Sequence, residues 1–271
     1  MDKQMEYFFE GADNIRELAG LCARDGRVIK SKRLIRADGL GNLSAGDVRF
    51  LTEEMKVRTA VDFRTAGERR NSPEPELPGV RMVWLPLLEE QVEGITHEQN
   101  DEEKKQDPTG FLGRLLASGL DGKGYMEATY RDLAKTPKAR EGYRRFFEIL
   151  LAEEEGAVLW HCSKGKDRTG IGAALILFAL DVPEATIYDN YRETNQRLAR
   201  HIETSMASVR QKVADEKLQE DIHALHLAQE NYLAAYLDEV KKGWGSMDAF
   251  LERELGVGKA EKERLRDGYL S

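Results

Sequence analysis

Residues Trp160 to Gly172 read W-H-C-S-K-G-K-D-R-T-G-I-G. Ala157 to Trp160, just upstream, is an apolar run that reads as a short buried strand, and Ile171 to Leu180 downstream is rich in helix formers and bounded by Pro183. The stretch is therefore a loop joining a strand to a helix N-terminus. Backbone N–H groups there have no intrahelical partner, and with the positive end of the helix dipole they make a site for an anion. A cysteine and an arginine at the two ends of such a loop enclose a space that fits one phosphate.

Each position has a chemical reason. Cys162 is the candidate nucleophile: a thiol at a helix N-terminus beside cations can fall to a pKa of roughly 3.5–7.5, and Lys164, Lys166 and Arg168 all lie close in sequence. The bland alternative is a buried packing thiol. Arg168 offers a planar fork for two phosphoryl oxygens, which a lysine cannot do. Gly165 lets the backbone turn its N–H groups inward, Gly170 and Gly172 allow close helix approach, and Thr169 could donate to the sulfur. Ser163, Lys164, Gly165, Lys166, Thr169 and Gly170 are thus expected to line the phosphate, with His161 steadying the loop. Lys164 adds a cation at the mouth or is a solvated surface lysine, and Lys166 either neutralises phosphate charge or pairs with an acidic neighbour.

The segment H-C-S-K-G-K-D-R-T-G resembles the active-site loop of the cysteine-dependent phosphatases, H-C-x5-R-[ST], and within them the bacterial tyrosine-phosphatase-like group, H-C-x-x-G-K-D-R-T-G. Other blocks agree in order. Asn14-Ile15-Arg16-Glu17-Leu18-Ala19-Gly20 is similar to N-x-R-D-L-G-G, with Glu17 and Ala19 as departures. Arg33 to Arg36, Leu43-Ser44, Ala60 to Thr65 with Glu68-Arg69 and Pro73-Glu74, Gly245 to Met247, Leu255 to Val257 and Arg266 to Leu270 follow. Residues 89 to 136 correspond least.

The resemblance implies a cysteine-dependent phosphomonoesterase acting through a cysteinyl-phosphate, a protein tyrosine phosphatase with dual specificity in view. Phosphotyrosine, phosphoserine or phosphothreonine, and phosphoinositides are all substrates it implies. The alternatives are a phosphoinositide or inositol-phosphate phosphatase and a catalytically silent phosphate-binding module. Similar enzymes carry an aspartate at the position of Asp167, which makes it the expected general acid, with Asp62 and Asp132 in reserve. Its neighbours Lys164, Lys166 and Arg168 pull the other way, favouring the ionised form unless the dianionic substrate or the thiolate raises its pKa again.

Composition sets limits. A formal charge of −8 argues against a nucleic-acid partner. Two cysteines, Cys22 and Cys162, make a disulfide framework or cysteine zinc site improbable, and the scattered histidines predict neither metal nor cofactor. Cys22 reads as inert packing. The longest apolar stretch is far short of the ~20 residues of a membrane span, and the N-terminus lacks a signal-peptide core. A cytoplasmic protein is expected, with leaderless export as the alternative; the sequence does not address the oligomeric state.

With 271 residues and 41% hydrophobic content the chain reads as a single phosphatase domain over 1–271. Strands are predicted at 31–36, 57–63, 80–85 and 157–161, helices at 44–55 and 138–154, and then only helices, at 169–180, 184–196, 198–216, 219–242, 246–255 and 259–268. Gly243 and Gly256 to Gly258 are the expected breaks. The fold class is α/β, a mainly parallel sheet of about four to five strands flanked by helices, with an all-helical C-terminal half. Residues 89–136 have the composition of a helical lid or a solvated insertion. Ligands in such sheets bind beyond the strands' carboxyl ends, so Asp62 and Arg64 are expected to support the loop. Arg64 would bond its backbone, or else the two form ion pairs with Arg69 and Glu68.

Overall fold

The computed structural model describes residues 8–89, 95–96 and 118–271. Its centre is a five-stranded sheet, β1 (Arg16–Glu17), β2 (Leu34–Ala37), β3 (Val57–Asp62), β4 (Arg81–Trp84) and β5 (Ala157–His161), ordered β1-β2-β5-β3-β4. β2, β5, β3 and β4 are mutually parallel, and only the short β1 runs antiparallel, against β2. β5 is buried throughout because it has a parallel neighbour on each side and helices on both faces. Val158 and Trp160 point to one core and Ala157 and Leu159 to the other, the two-residue alternation of a strand.

The helices are α1 (Ala45–Arg49), α2 (Ala66–Asn71), α3 (Gly122–Lys135), α4 (Pro137–Ala152), α5 (Asp167–Ala179), α6 (Glu184–Arg197), α7 (Ala199–Lys212), α8 (Glu216–His226), α9 (Glu230–Trp244), α10 (Met247–Leu255) and α11 (Lys259–Tyr269). Ser44 caps α1 as expected, but the second half of that segment, Phe50–Glu54, winds as a π-helical turn. The segment read as one helix over 219–242 is two, and Gly243 lies inside α9, whose C-cap is Gly245 at φ 84°. Cys22 is exposed, not packed.

One correction concerns residues 89–136. Its last part is no external cover: Met126, Tyr130, Leu133 and Ala134 of α3 lie in the main core, with α3 packed against α8 and α9. The apolar positions at 126, 130, 133 and 134 make the i, i+4, i+7, i+8 stripe of a core helix, and each fully buried large side chain contributes roughly 1.5–3 kcal/mol. The remainder of the expected lid, 90–94 and 97–117 with its charge run, lies outside the described residues. Among the described residues no helix is long and apolar enough to cross a membrane.

β2, β3 and β5 end level, with Ala37 and Asp62 both in register with His161. The loop after β5 is therefore flanked by the chain leaving β2 and β3.

Candidate active site

The loop from Cys162 to Arg168 is shaped by hydrogen bonds to its carbonyl oxygens from outside. Gly39 N donates to Ser163 O at 3.1 Å. Asn14 Nδ2 donates to Lys164 O at 2.9 Å, Arg36 Nη2 to Gly165 O at 2.8 Å, and Tyr143 Oη to Arg168 O at 2.8 Å. A planar trans peptide that turns its C=O outward turns the following N–H inward, so pinning these carbonyls aims the loop amides at the space they surround. Gly165 permits the turn with φ 63°, and a Cβ there would sit 2.6 Å from Ala37 O. Gly170 is constrained more gently: its Cβ would meet Tyr191 Cδ2 at 3.0 Å.

Cys162, at the start of this cradle, is 2% exposed. Arg168 closes it from the first turn of α5 and is fixed by Glu68: Nη1 donates to Oε2 at 2.6 Å and Nη2 to Oε1 at 2.7 Å. Nη1 also donates to Phe63 O at 3.3 Å and Nη2 to Ile95 O at 2.9 Å. Nε is buried without a partner among the described residues. Burial alone would raise the Glu68 pKa, but the Arg168 guanidinium holds the carboxyl far below its ordinary range, helped by Ser163 and the Thr65 amide. The same carboxylate closes the capping box of α2, accepting from Thr65 N at 2.9 Å.

Asp167 is 3% exposed, with Tyr130 Oη donating to its Oδ1 at 2.7 Å and Lys166 Nζ 3.5 Å from that oxygen. Burial pushes its carboxyl above the ordinary value, against Lys166, the Tyr130 hydrogen bond and Arg168. Sequence reasoning set the cations against the substrate dianion and the thiolate, without the burial that outweighs the cations. Asp62 and Asp132 do not share this setting. Both Asp62 oxygens are taken by Arg64, and Asp132 is an exposed partner of Lys135.

Other candidate residues sit differently from expectation. Arg64 bonds no loop carbonyl: it pairs with Asp62 and, through Nη2 at 2.7 Å, with Glu74 rather than Glu68, and Nη1 donates to Ser72 O. Asp62 pairs with Arg69 as anticipated, at 3.1 Å. Ser163 Oγ donates to Glu68 Oε1, and Lys166 Nζ donates to Leu225 O, so both side chains are engaged within the protein. Thr169 Oγ1 is buried and bonds to nothing among the described residues, so the expected bond to the sulfur is not made. His161 lies with Nδ1 3.3 Å from Cys162 O and Nε2 3.3 Å from Glu74 Oε1.

Asp62, Glu74 and His161 place ligand-type atoms within 4.8 Å of one another, a cluster that spacing along the chain did not reveal. Arg64 already occupies both carboxylates, so the group is an ion-pair network beneath the loop. Sequence reasoning also missed Glu68 as the arginine's clamp, along with Asn14, Arg36, Tyr130, Tyr143 and Tyr191. Only the early motif, the Arg33 to Arg36 block and the Glu68-Arg69 block hinted at any of them.

A mainly parallel sheet, an N–H cradle, and a Cys162 and Arg168 pair at its two ends define a cysteine-dependent phosphatase. The chain belongs to the tyrosine phosphatase family, which it matches over residues 7–271, and is thus a phosphoric monoester hydrolase. It is 31% identical to a Cupriavidus necator protein provisionally named a tyrosine-protein phosphatase, over 97% of this chain and 88% of that one. It is 25% identical to the triple specificity protein phosphatase PtpB of Mycobacterium tuberculosis, over 94% of this chain and 96% of that protein. A tyrosine-protein phosphatase of Nostoc commune is 29% identical over 64% of this chain and 53% of its own length.

Proposed function

We propose that the protein hydrolyses phosphotyrosine in protein substrates, with phosphoserine or phosphothreonine as secondary substrates. The observation carrying this reading is the pinned loop that surrounds Cys162 and ends in the Glu68-held Arg168. A nucleophile only 2% exposed favours the long, rigid phosphotyrosine side chain over shorter ones, and the relatives' names agree.

In the first step the Cys162 thiolate attacks phosphorus, the P–O ester bond breaks, and Asp167 gives its proton to the departing oxygen. In the second, water attacks the cysteinyl-phosphate, Asp167 takes back a proton, and the P–S bond breaks to release phosphate and thiolate. The inward amides and Arg168 stabilise the equatorial oxygens in both transition states. Asp167 suits the acid role because burial favours its protonated form.

Phosphoinositides are the second reading, favoured by Lys164, a loop cation with solvent access whose field reaches His201 and His226. We place the protein in the cytoplasm, a reducing compartment that suits the exposed thiol of Cys22. A panel of phosphotyrosine, phosphoserine and phosphothreonine peptides beside phosphoinositides tests these readings. Fastest turnover of phosphotyrosine is expected; faster phosphoinositide turnover would promote the second reading, and no turnover of any would leave a phosphate-binding module.

A further inference from the structure

A buried acid must also present its proton in the right direction. Among the described residues, the two close side-chain contacts to the Asp167 carboxyl fall on one oxygen, Oδ1: Tyr130 Oη at 2.7 Å and Lys166 Nζ at 3.5 Å. Tyr130 Oη is also 2.7 Å from Tyr191 Oη. A phenol has one proton to donate. With that of Tyr130 committed to Oδ1, Tyr191 must donate to Tyr130, and the chain of donors runs Tyr191 to Tyr130 to Asp167. Both tyrosines are fully buried, Tyr130 on α3 and Tyr191 on α6, and Tyr191 also packs against Gly170 of the loop's helix.

We propose that Tyr130 is a positioning residue for the general acid, with Tyr191 behind it. The pair holds Asp167 with Oδ1 anchored, leaving Oδ2 to carry the transferable proton. This rests on the assignment of Asp167 as that acid. A hydrogen bond donated to a carboxylate favours its ionised form, whereas burial favours the acid. Tyr130 therefore also limits how far the Asp167 pKa rises. The groups facing Asp167 are Lys166 and Arg168 from its own segment, Tyr130 from α3, Tyr143 from α4, Tyr191 from α6 and Tyr232 from α9. Burial keeps all these phenols above their ordinary pKa, so they stay neutral donors through the working range.

The test compares phenyl phosphate, whose leaving group needs a proton, with p-nitrophenyl phosphate, whose leaving group needs little help. Tyr130→Phe should lower kcat on phenyl phosphate by about tenfold and on p-nitrophenyl phosphate by no more than about twofold. It should also move the basic limb of the pH profile upward. Tyr191→Phe should shift both readouts in the same direction by less, and the double variant should be no worse than Tyr130→Phe, since Tyr191 acts through Tyr130. Equal losses on both substrates with an unmoved profile, or additive losses, would make the tyrosines mere packing and overturn the proposal. If Tyr130→Phe does not fold, 3-fluorotyrosine at position 130 keeps the shape and strengthens the donor. The basic limb should then move downward, and an unmoved limb overturns the proposal. Asp167→Asn is the reference. Leaving-group selectivity there but not in Tyr130→Phe removes the positioning role alone, whereas no selectivity in Asp167→Asn removes the acid assignment and this proposal with it.

Discussion

Glu68 and Arg168 meet through two parallel hydrogen bonds of 2.6 and 2.7 Å, with both side chains almost completely buried. Breaking such a pair leaves an unpaired buried charge, which costs about 3–5 kcal/mol, against ~1 kcal/mol for losing a helix cap. Glu68→Ala should therefore destabilise the fold several times more than Thr65→Ala in urea titrations, although both dismantle the same capping box. The pH dependence has a defined sign. The Glu68 pKa is depressed in the folded state, so its contribution is complete above its unfolded value of about 4.3 and is lost as pH falls below that. The wild type should lose stability more steeply than Glu68→Gln on acidification below that value.

The Ile95 carbonyl takes one donor of the Arg168 fork, at 2.9 Å from Nη2, while the neighbouring Nε has no partner among the described residues. A phosphoryl group gripped side-on by Nε and Nη2 would have to displace that carbonyl. Affinity is reduced by the fraction of molecules in which the donor is already free. Ile95 is anchored by its own side chain in the main core, and Ile95→Ala loosens the anchor. KM for p-nitrophenyl phosphate and the vanadate inhibition constant should both fall with kcat held. A rise in both would mean that the carbonyl helps to build the site.

The strand, loop and helix around Cys162 were legible because each position there obeys a local rule: an apolar β5, a glycine where φ is positive, a nucleophile at a helix start. Parallel order around β5 followed from the alternation of strands with helices. What was not legible depends on contacts across long separations. Glu68 reads locally as an ion-pair partner for Arg64, and nothing in its neighbours announces Arg168, 100 residues away. Tyr130 is 37 residues from Asp167 and sits in the stretch whose composition suggested a cover. The burial that governs Asp167 belongs to the tertiary structure, so charge counting along the chain left its protonation open.

Cys162→Ser should abolish turnover yet keep oxyanion binding, because an alcohol is a far weaker nucleophile while the outward-pinned carbonyls and Arg168 are untouched. Calorimetric titration with phosphate checks the binding half, and near-wild-type activity would remove Cys162 from the mechanism.

Chelators should leave activity unchanged, since the carboxylates of the Asp62, Glu74 and His161 cluster are already committed to Arg64. Vanadate, a mimic of the five-coordinate transition state, should inhibit well below the KM of the substrate. Loss of activity in a chelator with restoration by a divalent cation would reassign that cluster.

Lys164 and Lys166, two positions apart, have different surroundings. Lys166 is buried, with Nζ on Leu225 O and 3.5 Å from Asp167, whereas Lys164 is half-buried with its backbone carbonyl held by Asn14. Of the two, Lys164 is placed to meet a substrate from solvent. The nearby histidines add little charge at neutral pH: burial first, then Lys164, lowers His201, and burial with Lys166, His201 and Lys164 brings His226 down to about 4. A substrate with several phosphates gains from a cation at the mouth, while a phosphotyrosine peptide presents one phosphate that the loop already satisfies. Lys164→Ala should lower kcat/KM for a phosphoinositide headgroup by about tenfold, or ~1.4 kcal/mol, with phosphotyrosine turnover little changed. The difference should shrink as salt is raised, because a charge open to solvent is screened beyond about 8–10 Å at physiological ionic strength. Equal small losses on both substrates would make Lys164 a surface lysine and leave phosphotyrosine as the substrate the loop is built for.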